Sequence, residues 1–250
     1  MNSVGAELAA RPVFVFDFYG TLVEDEVAVP AIWEELVRRG YSCSPTLQAM
    51  FEPDGFDGTL TPDARSTPSH DDWIRSNWRQ LVRLSGVPAE SLDELTTELL
   101  DGQSRYRARA LPAAQPLLDL LRHHGRKVGL CSNWESPIGP FLAHAGLSGF
   151  DAISISSEVG ARKPHIAMFD DIARKLSCVP HEVVFVGDNW SSDIVGALRA
   201  GFSPVWIRGS RESRDLAHMV PEFPTLGDFA QMVANCLSTG VETPWTLMSR

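Results

Sequence analysis

The sequence has few lysines, no long apolar run and no clustered cysteines. Of its 22 basic residues only three are lysines, Lys127, Lys163 and Lys175, and none lies between residues 24 and 111. A mechanism that forms a Schiff base on a lysine of that segment is therefore excluded. No apolar stretch approaches the roughly 20 residues that a membrane-spanning helix needs, so we expect no membrane partner.

The cysteines and the charge narrow the class of protein further. Cys43, Cys131, Cys178 and Cys236 are widely spaced, which favours reduced thiols over a zinc site or a disulfide framework. The first residues, 1–12, have neither a basic start nor an apolar run, so we expect no signal peptide and a cytoplasmic location. The net charge of −10 argues against nucleic acid as a partner. A small anionic substrate would need locally placed positive groups.

Periodicity divides the chain into two parts. Residues 13–16 read Val-Phe-Val-Phe, which is typical of a strand buried on both faces. After residue 112 helices alternate with strands, which predicts an α/β fold: a three-layer core with a parallel, Rossmann-like sheet. Between residues 24 and 111 the pattern is helical and predicts no strand. We therefore assign residues 1–23 and 112–250 to the core and residues 24–111 to a helical cap.

The individual elements follow from the same patterns. The predicted strands after the first are 128–131, 153–155, 183–186 and 205–207, and the predicted helices are 31–39, about 71–86, about 88–109, 112–124, 137–145, 165–176, 193–200 and 226–237. Residues 52–70 are rich in proline and glycine, and they form a predicted loop long enough to suggest a functional role.

Polar residues stand directly after three of the predicted strands. Asp17 follows the first strand, Ser132-Asn133 follows the second, and Asp188 follows the strand over 183–186. Ligands of open α/β sheets bind at the carboxyl ends of the strands. Each of these side chains alone could cap a turn or a helix, and a lysine such as Lys163 could be a surface charge. Their coincidence at one predicted sheet edge favours a common site.

Four motifs in this order resemble the haloacid dehalogenase superfamily. That group, mostly phosphatases, is recognised by D-x-D-x-T, by a hydrophobic strand ending in Ser or Thr, by a Lys, and by G-D-x-x-x-x-D. Here they correspond to residues 17–21 (Asp-Phe-Tyr-Gly-Thr), Ser132-Asn133, Lys163-Pro164 and Gly187-Asp188 with Asp193. The resemblance covers roughly residues 13–23 and 112–210. The helical insertion matches the superfamily's cap by position alone.

The resemblance implies a role for each motif residue. Asp17 would attack phosphorus and form an aspartyl-phosphate. Asp17, Asp188 and the main-chain carbonyl of Tyr19 would hold Mg²⁺. Thr21, Ser132 and Asn133 would bind the phosphoryl group, and Lys163 would bind it too while supplying positive charge. Asp193 would orient Lys163 or a water on the metal.

Tyr19 departs from the phosphatase pattern, which has an acid/base Asp two residues after the nucleophile. A phenol of pKa about 10 is a poor base at neutral pH. Three interpretations stay open. The first is a phosphatase whose substrate has a good leaving group, or whose cap supplies the acid from His70 or the run Glu24–Glu26. The second is a 2-haloacid dehalogenase, because D-x-Y-G-T resembles its first motif and halide leaves without a proton. The third is a non-catalytic relative that binds a phosphorylated ligand.

The last motif favours hydrolysis at phosphorus over dehalogenation. The dehalogenases need no metal, and their last motif resembles S-x-N-x-x-D, with one carboxylate. This chain has two carboxylates there, Asp188 and Asp193, which suits a metal site better. The sequence therefore predicts a Mg²⁺-dependent phosphatase, with Tyr19 among its catalytic residues.

Overall fold

The strand predicted over residues 13–16 is one of the two central strands of a six-stranded parallel sheet. The computed structural model describes residues 12–26, 31–51, 70–103, 108–134, 137–213 and 220–239. Its strands are β1 (Val13–Phe16), β2 (Val23–Asp25), β3 (Ala108–Ala110), β4 (Val128–Ser132), β5 (Ala152–Ile155), β6 (Val183–Gly187), β7 (Ser203–Ile207) and β8 (Glu222–Phe223). Its α-helices are α1 (Ile32–Arg38), α2 (Pro45–Phe51), α3 (His70–Leu84), α4 (Leu92–Gln103), α5 (Ala114–His123), α6 (Gly139–Ala145), α7 (Ser156–Val159), α8 (Ile166–Leu176), α9 (Gly196–Arg199) and α10 (Leu226–Thr239).

The sheet order is β5-β4-β1-β6-β7-β8, and every neighbouring pair is parallel. Side chains of β1 alternate between two apolar layers, as successive residues of a strand must. Phe14 and Phe16 pack with α5, α6 and α10, whereas Val13 and Val15 pack with α8 and α9. This arrangement confirms the predicted three-layer α/β core.

All five predicted strands of the core are present, within one or two residues of the predicted bounds. The helix predicted over residues 193–200 is different. It begins as a π-helical turn at Trp190–Val195, and only Gly196–Arg199 is α-helical. The helix α2, the four-residue helix α7 and the two-residue strand β8 were not predicted, and α7 and β8 are too short to show a periodic pattern.

The prediction that no strand lies between residues 24 and 111 was wrong. Strands β2 and β3 pair antiparallel, with Val23 opposite Ala110 and Asp25 opposite Ala108. The helix predicted to continue to about residue 109 ends at Gln103, so the predicted boundaries at 23/24 and 111/112 fall at this strand pair. The strands have three residues each and pair across about 85 residues of sequence, so neither shows a local pattern.

Helices α1, α3 and α4 share an apolar cluster of their own, built around Leu36, Val82 and Leu99. That cluster supports the predicted cap, although the division into two domains stays a prediction. Most of the predicted loop, residues 52–69, and nearly all of the segment 1–12 lie outside the described residues. None of the helices in the part of the chain that the structure describes is both long and apolar enough to cross a bilayer.

We expect Leu118→Ala on α5 to lower the free energy of unfolding by about 2–5 kcal/mol, because it leaves a cavity under the sheet. Leu118 is fully buried. Leu198→Ala on α9 makes the same chemical change at a side chain that is 41% exposed, and we expect a loss below about 1 kcal/mol. Urea unfolding of both variants measures the difference. Equal losses would show that α5 does not cover the sheet as described.

Candidate active site

Segments that are far apart in the chain meet at the carboxyl ends of β4, β1 and β6. Phe16 is in register with Leu130 on one side and with Val186 on the other. Asp17 follows Phe16, and its backbone N–H donates to the Val186 carbonyl at 2.9 Å. The three strands therefore end at the same edge and present their polar residues there together.

Lys163 connects two of the predicted carboxylates. Its Nζ lies 2.6 Å from Asp17 Oδ1 and 2.6 Å from Asp193 Oδ1. Burial lowers the pKa of Lys163, but the attraction of Asp17 and Asp193 outweighs it, so the net pKa lies well above the usual range. The Phe185 ring, with its centroid 5.3 Å from Nζ, adds a cation–π contact. The amine therefore stays charged in this site.

The end of β4 positions both the nucleophile and the lysine. Ser132 Oγ donates to Asp17 Oδ1 at 3.0 Å. Asn133 accepts from the Lys163 backbone N–H at 2.7 Å and donates from Nδ2 to the Lys163 carbonyl at 3.1 Å. Both ends of the Asn133 amide thus hold the lysine segment. A contact of Asn133 with substrate stays a prediction.

Asp193 faces the site and does not cap the helix that contains it. The N-cap is Asn189, whose side chain accepts from the Ser192 backbone N–H at 2.8 Å. Asp193 Oδ2 accepts from the Asn189 backbone N–H at 3.0 Å, which leaves Oδ1 for Lys163. The π-helical turn therefore orients Asp193, and the predicted contact between Asp193 and Lys163 is present.

Asp188 is held by residues that the sequence analysis did not select. Arg211 donates from Nη2 to Asp188 Oδ2 at 3.2 Å and from Nη1 to the Asp188 carbonyl at 3.2 Å. Trp206 donates from Nε1 to the same carbonyl at 2.8 Å. Arg211 lies just after β7, which pairs with β6. Its place after a strand that neighbours β6 is the signal that could have identified it.

Three carboxylates are crowded at this edge. One oxygen each of Asp17, Asp188 and Asp193 lies within 4.8 Å of the others. Burial raises the pKa of Asp17 to about 6, against the attraction of Lys163. Burial, with repulsion from Asp193 and Asp17, raises the pKa of Asp188 to about 7. Clustered carboxylate oxygens with an excess of negative charge suit a hard divalent cation such as Mg²⁺, so these residues fit the predicted metal. That the main-chain carbonyl of Tyr19 also binds the metal stays a prediction.

Two residues of the first motif have different surroundings. Tyr19 is 41% exposed, and its hydroxyl donates to Asp25 Oδ2 at 2.7 Å. Thr21 is fully buried, and among the described residues its Oγ1 has no hydrogen-bond partner. A buried hydroxyl without a partner costs about 1–3 kcal/mol, so Thr21 is poised to bond a ligand.

Comparison with known proteins identifies the family of this chain. The haloacid dehalogenase-like hydrolase family matches residues 12–201, which are 190 of the 250 residues. The protein therefore belongs to this family. A glyceraldehyde 3-phosphate phosphatase from Methanothermobacter thermautotrophicus is 31% identical over 117 residues, covering 44% of this chain and 50% of that protein. The chain spans about half the length of the curated relatives it matches.

Solved structures share the fold but do not separate the activities. A HAD phosphatase from Thermococcus onnurineus is 22% identical with a TM-score of 0.53, covering 89% of this chain and 97% of that chain. The L-2-haloacid dehalogenase from Xanthobacter autotrophicus is also 22% identical, with a TM-score of 0.52 and coverage of 89% and 98%. At these identities the likeness shows the fold alone, so the choice of reaction depends on the side chains of the site.

We expect Gly20→Ala to weaken Mg²⁺ binding by about 10–100-fold, because a Cβ at Gly20 would lie 2.6 Å from Asp188 Cγ. Gly40→Ala is the matched control: Gly40 has a φ of +88°, close to the +82° of Gly20, but has no atom within 4 Å of the added Cβ. Both variants share the strain of a positive φ, so both lose about 1 kcal/mol of stability or more. Calorimetric titration with Mg²⁺ separates the two effects. Equal Mg²⁺ affinity in both variants would contradict the close approach of Asp188.

In EDTA the free energy of unfolding should fall as the pH rises from about 4 to 7. Folded Asp17 and Asp188 have pKa values of about 6 and about 7, above the value of about 3.9 in an unfolded chain. The folded state therefore binds more protons in this window, and deprotonation removes that stabilisation. Asp188→Asn should make the fall smaller, as measured by urea unfolding across the pH range.

Adding Mg²⁺ or NaCl distinguishes relief of the carboxylate repulsion at this site from general screening by salt. Mg²⁺ at pH 8 should restore stability more than NaCl of the same ionic strength, because it binds only the folded site. An Asp188→Asn protein with the wild-type slope would show that the buried carboxylates do not titrate as described.

Proposed function

We propose that this protein is a Mg²⁺-dependent phosphatase that hydrolyses a small phosphorylated metabolite through an aspartyl-phosphate on Asp17. The observation that carries the proposal is the convergence of the Asp17, Asp188 and Asp193 carboxylates, two of which, Asp17 and Asp193, pair with the buried Lys163. The similarity to a glyceraldehyde 3-phosphate phosphatase over part of the chain supports a small phosphorylated substrate.

Asp17 is the nucleophile in this proposal. Its Oδ1 is held by Lys163 and Ser132, which leaves Oδ2 to attack phosphorus and displace the leaving group. Asp17, Asp188 and the Tyr19 carbonyl would hold Mg²⁺, with the Asp193 carboxylate beside them. When bound, the ion offsets the repulsion between a carboxylate and an anionic phosphate.

Positive charge and buried donors would hold the phosphoryl group. Lys163 supplies a fixed ammonium that needs no rearrangement during the reaction. The unpartnered hydroxyl of Thr21 supports a hydrogen bond from that group to a phosphoryl oxygen. Ser132, now bonded to Asp17, could donate to the same group once Asp17 is phosphorylated.

A second candidate is 2-haloacid dehalogenation, which the residue at position 19 favours. Tyr19 gives the first motif the D-x-Y-G-T form, and Asp17 would then attack carbon and displace halide. The cluster of three carboxylates argues against it, because an anionic haloacid would meet more negative charge than Lys163 and Arg211 offset. The interpretation as a non-catalytic binder has less support, because Asp17 and the candidate metal ligands are all present.

The decisive assay supplies an aryl phosphate and 2-chloropropionate in parallel, each with Mg²⁺ or with EDTA. We expect phosphate release that EDTA abolishes and no chloride release. EDTA-resistant chloride release would replace the proposal with dehalogenation. Binding of inorganic phosphate without any turnover would favour the non-catalytic interpretation.

Asp17→Asn should abolish turnover while the protein stays folded, because an amide cannot act as the nucleophile. Asp170→Asn, at an exposed site on α8, is the control for a lost carboxylate and should retain activity. Phosphate release over time and a thermal melt measure both properties. Full turnover by Asp17→Asn would refute the assigned nucleophile.

A further inference from the structure

The side chain at position 19 is bonded to a carboxylate elsewhere in the chain. Tyr19 stands two residues after Asp17, where the family's phosphatases have their acid/base Asp. Its hydroxyl donates to Asp25 Oδ2 at 2.7 Å, and the ring is exposed enough to meet a substrate. The Asp25 carboxylate is thus hydrogen-bonded to the side chain at the position where the family's phosphatases have a carboxylate.

The backbone fixes this pair. The Leu22 N–H donates to the Phe18 carbonyl at 2.9 Å, and the Gly20 N–H donates to the Val23 carbonyl at 2.9 Å. This turn leads directly into β2, where Asp25 pairs with Ala108 of β3. The approach of Asp25 to Tyr19 is therefore built into a hydrogen-bonded turn and a strand pair.

The acidic side chains on either side of Asp25, Glu24 and Glu26, contact basic residues. Glu24 forms an ion pair with Arg109 at 2.9 Å, and Glu26 contacts His144 at 3.0 Å. Within the described residues no Lys, Arg or His forms an ion pair with Asp25. Successive strand residues face opposite sides, so Asp25 and Glu24 project away from each other. Of the three neighbouring acids Glu24, Asp25 and Glu26, Asp25 is therefore the one whose side chain is hydrogen-bonded to Tyr19.

We propose that Tyr19 and Asp25 act together as a general-base proton relay in place of the base role of the family's Asp, an inference that rests on the proposed phosphatase function. In the first step the bond from phosphorus to the leaving oxygen breaks as Asp17 attacks. The leaving group of an activated substrate departs as its anion and needs no proton, so the Tyr19 hydroxyl keeps its bond to the Asp25 carboxylate in this step.

In the second step the pair acts as a general base. Water attacks phosphorus and the bond to Asp17 breaks. The water proton passes to Tyr19 Oη while the hydroxyl proton of Tyr19 passes to Asp25 Oδ2. Phosphate leaves, and Asp25 releases the proton to solvent, which restores the bond that Tyr19 donates to its carboxylate. Tyr19 stays a neutral phenol throughout, so the high pKa of a phenol, about 10, is no obstacle.

The test compares Tyr19→Phe and Asp25→Asn with the wild type on an aryl and an alkyl phosphate, both with Mg²⁺. An aryl oxide leaves without a proton, so each variant should release about one equivalent of phenol in a burst and then turn over slowly. The slow phase should fall by about 10²–10⁴-fold, the usual worth of acid/base help, whereas slow alkyl phosphate hydrolysis, limited by its leaving group, should change little. Glu24→Gln removes a neighbouring charge from the opposite side of β2 and should keep wild-type rates.

Rescue tests whether Asp25 acts through position 19. Tyr19→Asp restores the family's carboxylate, so adding Asp25→Asn to it should cost less than about threefold. The relay alone would be overturned if Tyr19→Phe and Asp25→Asn turned over at the wild-type rate without a burst. It would also be overturned if Glu24→Gln lost as much activity as those two variants. Loss of turnover with a lowered melting temperature and no burst would assign the pair a structural role. A wild type that releases no phosphate from either substrate would overturn the proposed function and the relay together.

Discussion

Charge crowding at the end of the sheet is the constraint on which the site depends. Asp17, Asp188 and Asp193 bring three carboxylates together, and the buried cation among them is Lys163. Removing ions from water costs several kcal/mol each, and only well-placed partners repay it. The surrounding structure must therefore hold these side chains against their own repulsion, which is why so many of their neighbours are hydrogen-bond donors.

Close approach of the backbone makes that crowding possible. Gly20 leaves room for the Asp188 carboxylate, and a Cβ at Gly187 would lie 2.4 Å from Asp193 Cβ. Asn133 adds a rigid connection to the Lys163 backbone, which is 30 residues away in sequence. Small residues and a paired amide thus convert a parallel sheet edge into a site with a defined charge arrangement. The excess of negative charge in this arrangement is the physical reason for proposing a divalent cation there.

The first motif connects this site to the rest of the chain. Its turn continues directly into β2, and β2 pairs with β3 at the two ends of the helical segment. Tyr19 and Asp25 lie on this connection. A change in how the helices α1–α4 sit would therefore act first on Tyr19 and Asp25, the pair proposed as the relay.

Local pattern determined much of this protein. The apolar run at 13–16, the alternation after residue 112 and the polar residues at strand ends predicted the α/β core and placed Asp17, Ser132, Lys163 and Asp188 at one edge. This succeeds because parallel strands end together, so position along a strand predicts position in space.

Only the tertiary structure decided the partners of those residues. The contact of Arg211 with Asp188, the bonding of Asn133 to Lys163, the pairing of β2 with β3 and the bond from Tyr19 to Asp25 join segments or side chains whose sequence signal is weak. Short strands and single polar contacts have no periodicity, because they are set by the packing of distant segments. The sequence by itself therefore selected the candidate site residues, and the folded chain decided which neighbours hold them.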